Sequence, residues 1–175
     1  MKNRITIIFL IAAVSLLFKL FLCCPCLFAS SNDAGLSISV GVNSVFSIKV
    51  SPTSLDFGSA DPGAVTPTKT VVIECVTNNN NQWIVQISDA AELTAGVYTI
   101  ANGEFNWWGS SNGSGYWNPG TAKMSVEPQT FYTAASDEYI TTAPVVLTVN
   151  LNVDIPNYQP AGTYVTTIEF TMCEQ

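Results

Sequence analysis

The chain has 175 residues, with six lysines and arginines, thirteen aspartates and glutamates, and no histidine; that is room for one ordinary domain behind a short leader. So few cations cannot neutralise a row of phosphates, which excludes nucleic acid as an expected partner and disfavours an anionic membrane surface. The missing histidine removes serine–histidine triads, cysteine–histidine pairs and the commonest zinc ligand, so no catalytic residue, metal ligand or cofactor is expected.

Lys2 and Arg4 precede an apolar run from Ile5 to Leu22, broken by Lys19, and small residues follow at Ala29, Ser30 and Ser31. This order of charge, apolar run and small residues predicts a cleaved signal peptide over 1–29 and a single domain over 30–175. A retained membrane anchor is the rival, since the run just reaches the length of a span. Lipid attachment at Cys23, Cys24 or Cys26 lacks the small residues that normally precede it. The expected location is therefore secreted or at the cell surface, periplasmic or extracellular, with membrane contact only through the leader during export.

Without the leader the bases fall to Lys49, Lys69 and Lys123, and the cysteines to Cys75 and Cys173. Two cysteines in one small exported domain make a candidate disulfide, which would stabilise by about 4–5 kcal/mol in the chain-entropy model. The strand register opposes it. Cys75 shares a face with Val71 and Ile73, whereas Cys173 falls in step with Glu169 and Thr171, off the core face, so a bulge or twist at the strand end is required.

Leu36, Ile38, Val40 and Val42 alternate with Ser37, Ser39 and Gly41, a period of two that predicts a strand with a very small outer face. Its expected place is first in its own sheet; insertion into a neighbouring subunit's sheet is the alternative. Phe46, Ile48 and Val50 line a second extended segment. The stretch Ser51–Thr68 sets prolines and glycines around Leu55 and Phe57, predicting an edge segment and a turn at Asp61-Pro62-Gly63. Lys69–Val76 is the most apolar strand of the first half, Asn78–Asn81 is a turn, and Trp83, Val85 and Ile87 line one face of the next strand. Ala90–Ala95 suggests one helical turn and Val97–Ile100 a short strand. Gly103–Thr121 mixes Phe105, Trp107, Trp108, Tyr116 and Trp117 with glycine, serine and asparagine and reads as an aromatic loop. Lys123–Thr133 returns to strand character.

Leu147, Val149, Leu151, Val153 and Ile155 then alternate with polar residues, and after IPNYQPAG so do Tyr164, Ile168, Phe170 and Met172. Two long strands around a short proline–glycine connection predict an antiparallel pair. The expected core is Trp83, Val85, Ile87, Leu147, Val149, Leu151, Val153, Ile168 and Phe170. An all-β antiparallel sandwich of eight or nine strands accounts for the pattern, with a closed barrel as the structural alternative.

The run SPTSLDFGSADPG from Ser51 to Gly63, followed by TKTVVIECVTNNNNQWIVQIS, resembles the opening of secreted bacterial immunoglobulin-like domains of surface and appendage proteins. In these a leucine-x-phenylalanine-glycine step precedes the first core strand and an asparagine-rich turn leads into a tryptophan strand. PAGTY, Pro160–Tyr164, is similar to the closing segment of spore-coat-U-like and pilin-like subunits. The resemblance covers most of Ser51–Met172. It implies an immunoglobulin-like sandwich acting as a structural or adhesive protein, a subunit of a surface appendage, with itself or other surface proteins as partners. Cys75 lies only eight residues before Trp83 and Cys173 sits in the last strand, so the bridge of antibody domains is not implied.

Aromatic rings among asparagines can stack on sugars, which makes Trp107, Trp108, Tyr116 and Trp117 candidate ligand-binding residues and glycans candidate partners of a carbohydrate-binding module. Against this, adjacent Trp107 and Trp108 point oppositely in an extended chain, so one ring enters the core. Asp61, Asp137 and Glu138 lack the oxygen spacing of a calcium loop. The sequence thus leads to a secreted structural or adhesive protein without catalysis, with sugar binding through residues 103–121 as the alternative.

Overall fold

Alternation of apolar and polar residues becomes strand over most of the domain, and no α-helix forms among the described residues, 36–118 and 120–175 of a computed structural model. The predicted signal peptide lies outside them. The strands are β1 (Phe46–Ser51), β2 (Lys69–Thr77), β3 (Trp83–Asp89), β4 (Leu93–Ala95), β5 (Tyr98–Ile100) and β6 (Phe105–Ser111), then β7 (Tyr116–Trp117), β8 (Ala122–Lys123), β9 (Gln129–Thr133), β10 (Val145–Val153) and β11 (Ile168–Glu174). Two 3-10 turns, Asn102–Glu104 and Ser136–Glu138, are the helical content among the described residues. Val42–Gln175 forms one compact unit; residues 36–41 lie outside it and carry no strand.

Two antiparallel sheets pack in a sandwich-like arrangement. One runs β1-β2-β10-β6-β8 and the other β11-β3-β9-β7, with β4-β5 a separate hairpin. Their inward rows meet in one core: Val71, Ile73 and Cys75 of β2, Leu147, Val149, Leu151 and Val153 of β10, and Trp83, Val85 and Ile87 of β3. Each such side chain stabilises by about 1.5–3 kcal/mol before entropy is charged against it. Phe131 of β9 ties the layers together, meeting Trp107 of β6 at 5.7 Å, Trp117 of β7 at 5.2 Å and Phe170 of β11 at 6.3 Å, all edge-on, the arrangement that aromatic quadrupoles favour.

Four expectations are corrected. The C-terminal strands do not pair: β10 lies between β2 and β6, while β11 pairs β3 in the opposite sheet. The proline-rich connection, with Tyr158 at φ 68, carries the chain from one layer to the other, so both dry faces meet the same core from opposite sides. Ala90–Ala95 forms no helical turn, because Leu93–Ala95 pairs Tyr98–Ile100 around Gly96 at φ 64, and a glycine of positive φ opens a tight hairpin turn. Leu36–Val42 is not a first strand in the sheet; the five-stranded sheet begins at β1. Cys75 and Cys173 are free thiols. Cys75 is fully buried on the core face of β2, whereas Cys173 alternates with inward Met172 and faces Gln86 on the outside of the other sheet. The strand that would have to bulge to bring them together keeps its register to its end.

Candidate functional site: a cleft between two free sheet edges

Along one side of the sandwich the two sheets end in β1 and β11, each paired on one edge only among the described residues. They do not close evenly. At one end Asn79 reaches from the turn after β2 to Glu174 of β11, with its side-chain amide donating to the carboxylate, and Gln175 N–H donates to Gln82 at 2.9 Å. At the other end the chain leaves β1 at Pro52, which cannot donate to a ladder. Tyr164–Thr167, the lead into β11, is meanwhile held by the hairpin region: Val165 and Thr94 exchange two backbone bonds at 3.0 Å, and Ala90 N–H donates to Thr167 at 2.9 Å.

Between these edges lies an open cavity of about 460 Å³. Val50, Leu55 and Phe57 line one wall and Val165, Ile168 and Phe170 the other, over a floor of Val71, Phe105 and Leu151. Ile168 and Phe170 line it and are half-buried, although they sit on the inward face of β11. The lining carries no charged side chain and mixes apolar residues with Thr53, Ser54, Thr166 and Thr167, and among the described residues both edge strands offer unpaired backbone groups.

Outside the compact unit, or at its first residue, stand four large apolar side chains. Leu36, Ile38, Val40 and Val42 are 84%, 84%, 88% and 81% exposed. A run of large apolar side chains left in water with tiny residues between them is unusual for a soluble monomer.

The four aromatic candidates separate. Trp107 is buried and its indole N–H reaches Gln129 Oε1 at 3.4 Å; Trp117 is half-buried on Phe131. Tyr116 is exposed, and Trp108 is half-buried on the outer face of β6 opposite Asn150. The aromatic loop is thus two strands and their connection, because register with β10 and β9 overrides its glycine-rich composition.

Two of the carboxylates weighed for calcium, Asp137 and Glu138, have structural surroundings. Glu138 is buried; its oxygens accept from Tyr132 OH at 2.7 Å, Ser114 N–H at 2.9 Å and Ala135 N–H at 3.0 Å, while Trp83 Nε1–H donates to its carbonyl at 3.0 Å. Asp137 accepts from Ser114 Oγ at 2.6 Å. Burial, and then the neighbouring Glu138, push the Cys75 thiol up to about 12, so it is protonated and inert at neutral pH. Among the described residues no group of three metal-ligating side chains comes together. No protein-family model matches the chain, and no curated protein matches it.

Sequence reasoning singled out Leu36–Val42 through its alternation, expecting a strand of its own sheet. It missed the cleft, whose signal was Pro52 at the end of β1 together with the uneven spacing of Tyr164 and Ile168, which marks an interrupted strand.

Proposed function

We propose that this protein is an exported structural subunit with an immunoglobulin-like sandwich, and that copies join by strand donation: Leu36–Val42 of one molecule enters the cleft of the next. The observation carrying this reading is an apolar cleft between two unpaired edges in a chain whose alternating apolar heptapeptide is left in water. Extended, seven residues span about 23 Å, and β11 is also seven residues long. Burying four aliphatic side chains is worth about 6–12 kcal/mol, with main-chain bonds to a rim added. Ser37, Ser39 and Gly41 keep the donor's other face thin. Head-to-tail contacts of this kind build filaments unless their rotation closes a ring. The leader, the resemblance to appendage subunits and the lack of histidine support an extracellular, non-catalytic role.

The test is size. Without residues 1–29, the chain should give a concentration-dependent ladder on a sizing column, and Ile38→Asp/Val40→Asp should reduce it to monomer while leaving circular dichroism unchanged. A wild-type chain that stays monomeric at high concentration refutes the proposal.

A further inference from the structure

The outer face of the five-stranded sheet carries a second arrangement. Register places Trp108 of β6 opposite Asn150 of β10, which lies opposite Thr70 of β2; one step along, Asn106 lies opposite Asn152. These outward side chains are tied sideways. Thr70 Oγ1 donates to Asn150 Oδ1 at 2.8 Å, and Asn106 Nδ2 donates to Asn152 Oδ1 at 2.8 Å and Asp154 Oδ2 at 3.0 Å. The bonds fix both amide planes of β10 through their oxygens. Among the described residues the Asn150 and Asn152 NH₂ groups and the Trp108 indole N–H have no protein acceptor.

Asparagine is among the residues least suited to a strand, and β10 is the central strand of this sheet. Two asparagines at alternate outward positions there, with a third on β6, weaken the sheet and gain only a ladder that threonines would supply more cheaply. Such local conflict marks positions kept for another purpose. The charges on this face cancel: Lys49 pairs Glu74 and Lys123 pairs Asp154, each at 3.2 Å. On a chain this acidic, a face without net charge selects a neutral partner. Immobilised amide donors a strand step apart, beside an indole plane, match a molecule with hydroxyl acceptors along its edge and a flat carbon–hydrogen face, which is a pyranose ring. Pre-fixed side chains lose little entropy on binding.

We propose that the outer face of the five-stranded sheet, at Trp108, Asn150 and Asn152, binds a neutral, extended oligosaccharide. The site differs from an aromatic loop, since Trp107 and Trp117 take no part. It is independent of strand donation, because the cleft lies on the core side of the same sheet.

The experiment titrates the monomeric Ile38→Asp/Val40→Asp chain with cellohexaose, xylohexaose and chitohexaose to millimolar concentration, following side-chain amide and indole resonances. At least one sugar should shift the Trp108 indole and the Asn150 and Asn152 amides saturably. Trp108→Ala should weaken that binding at least tenfold, and Asn150→Ala/Asn152→Ala, which spares the aromatic packing, should do the same. Val165→Asp, in the cleft, should leave it unchanged. No shift with any of the three sugars, or binding that survives both the Trp108 and the asparagine variants, overturns the proposal.

Discussion

Replacing Glu138 by alanine tests how the domain holds its polar interior. The carboxylate is 6% exposed and accepts from the Tyr132 hydroxyl and the backbone N–H groups of Ser114 and Ala135. Removing it leaves three donors in a site closed by Gly113 and Gly115, where an added Cβ would run into the Glu138 carboxylate and the Tyr132 hydroxyl. A buried donor without a partner costs about 1–3 kcal/mol. Water entering the space left by the side chain recovers part of this, so a loss of about 3–6 kcal/mol is expected. Glu138→Gln keeps one acceptor oxygen and turns an NH₂ toward the remaining donors, so its loss should be about half as large. Tyr132→Phe removes a donor to Glu138 and also the acceptor of the Gly115 N–H at 3.1 Å, and should cost about 1–3 kcal/mol. The assay is urea unfolding followed by tryptophan fluorescence, with the m-value checked for constancy. A Glu138→Ala unfolding free energy within about 1 kcal/mol of wild type would refute the claim that this carboxylate pins the loop.

Three further outcomes follow from the burial pattern. Trp107→Ala should destabilise by about 3–5 kcal/mol, as for large core aromatics, whereas Trp108→Ala, on the outer face, should cost about 1 kcal/mol or less in the same urea assay; equal losses would mean that the assigned faces are wrong. A maleimide reagent should modify Cys173 in the native protein and reach Cys75 only in denaturant, since Cys75 is fully buried and its thiol pushed up to about 12; a native protein in which neither thiol reacts without reductant would restore the disulfide. Asp89 is buried with Oδ2 lacking a partner, and desolvation raises its carboxyl above the usual range against the bonds from Thr166, Ala91 and Ala90. A raised folded-state value gives stability that is complete below the unfolded value of about 3.9 and lost as pH rises through the folded one. Wild type should therefore lose stability relative to Asp89→Asn as pH rises above about 4, and a difference that is flat or of opposite sign contradicts the assignment.

The inward rows of β2, β3 and β10 are legible in the sequence because a strand with one dry face writes its burial as a period of two. The same signal is silent on which strand lies beside which. β10 and β11 are both dry on one face, and alternation is satisfied equally by neighbours in one sheet and by strands facing each other across the core; only the path of the connection decides. The cleanest alternation, Leu36–Val42, belongs to residues that find no place in either sheet, because periodicity reports what a segment can bury and not where. Ala90–Ala95 misleads in another way: alanine is the best helix former, but propensity is a weak prior, and the Gly96 turn overrides it. The outer-face constellation is spread over β2, β6 and β10, so its members are visible as polar gaps in the pattern, but their convergence depends on register between distant strands.

Amide hydrogen exchange on the assembled protein and on its donor-disabled form tests strand donation most directly. Backbone N–H groups of β1 and β11 that face away from β2 and β3 should exchange rapidly in the Ile38→Asp/Val40→Asp monomer. On the rim that receives the donor they should become protected in the wild-type assembly, as should the amides of Leu36–Val42. Equal exchange of all these amides in the two forms would contradict the account.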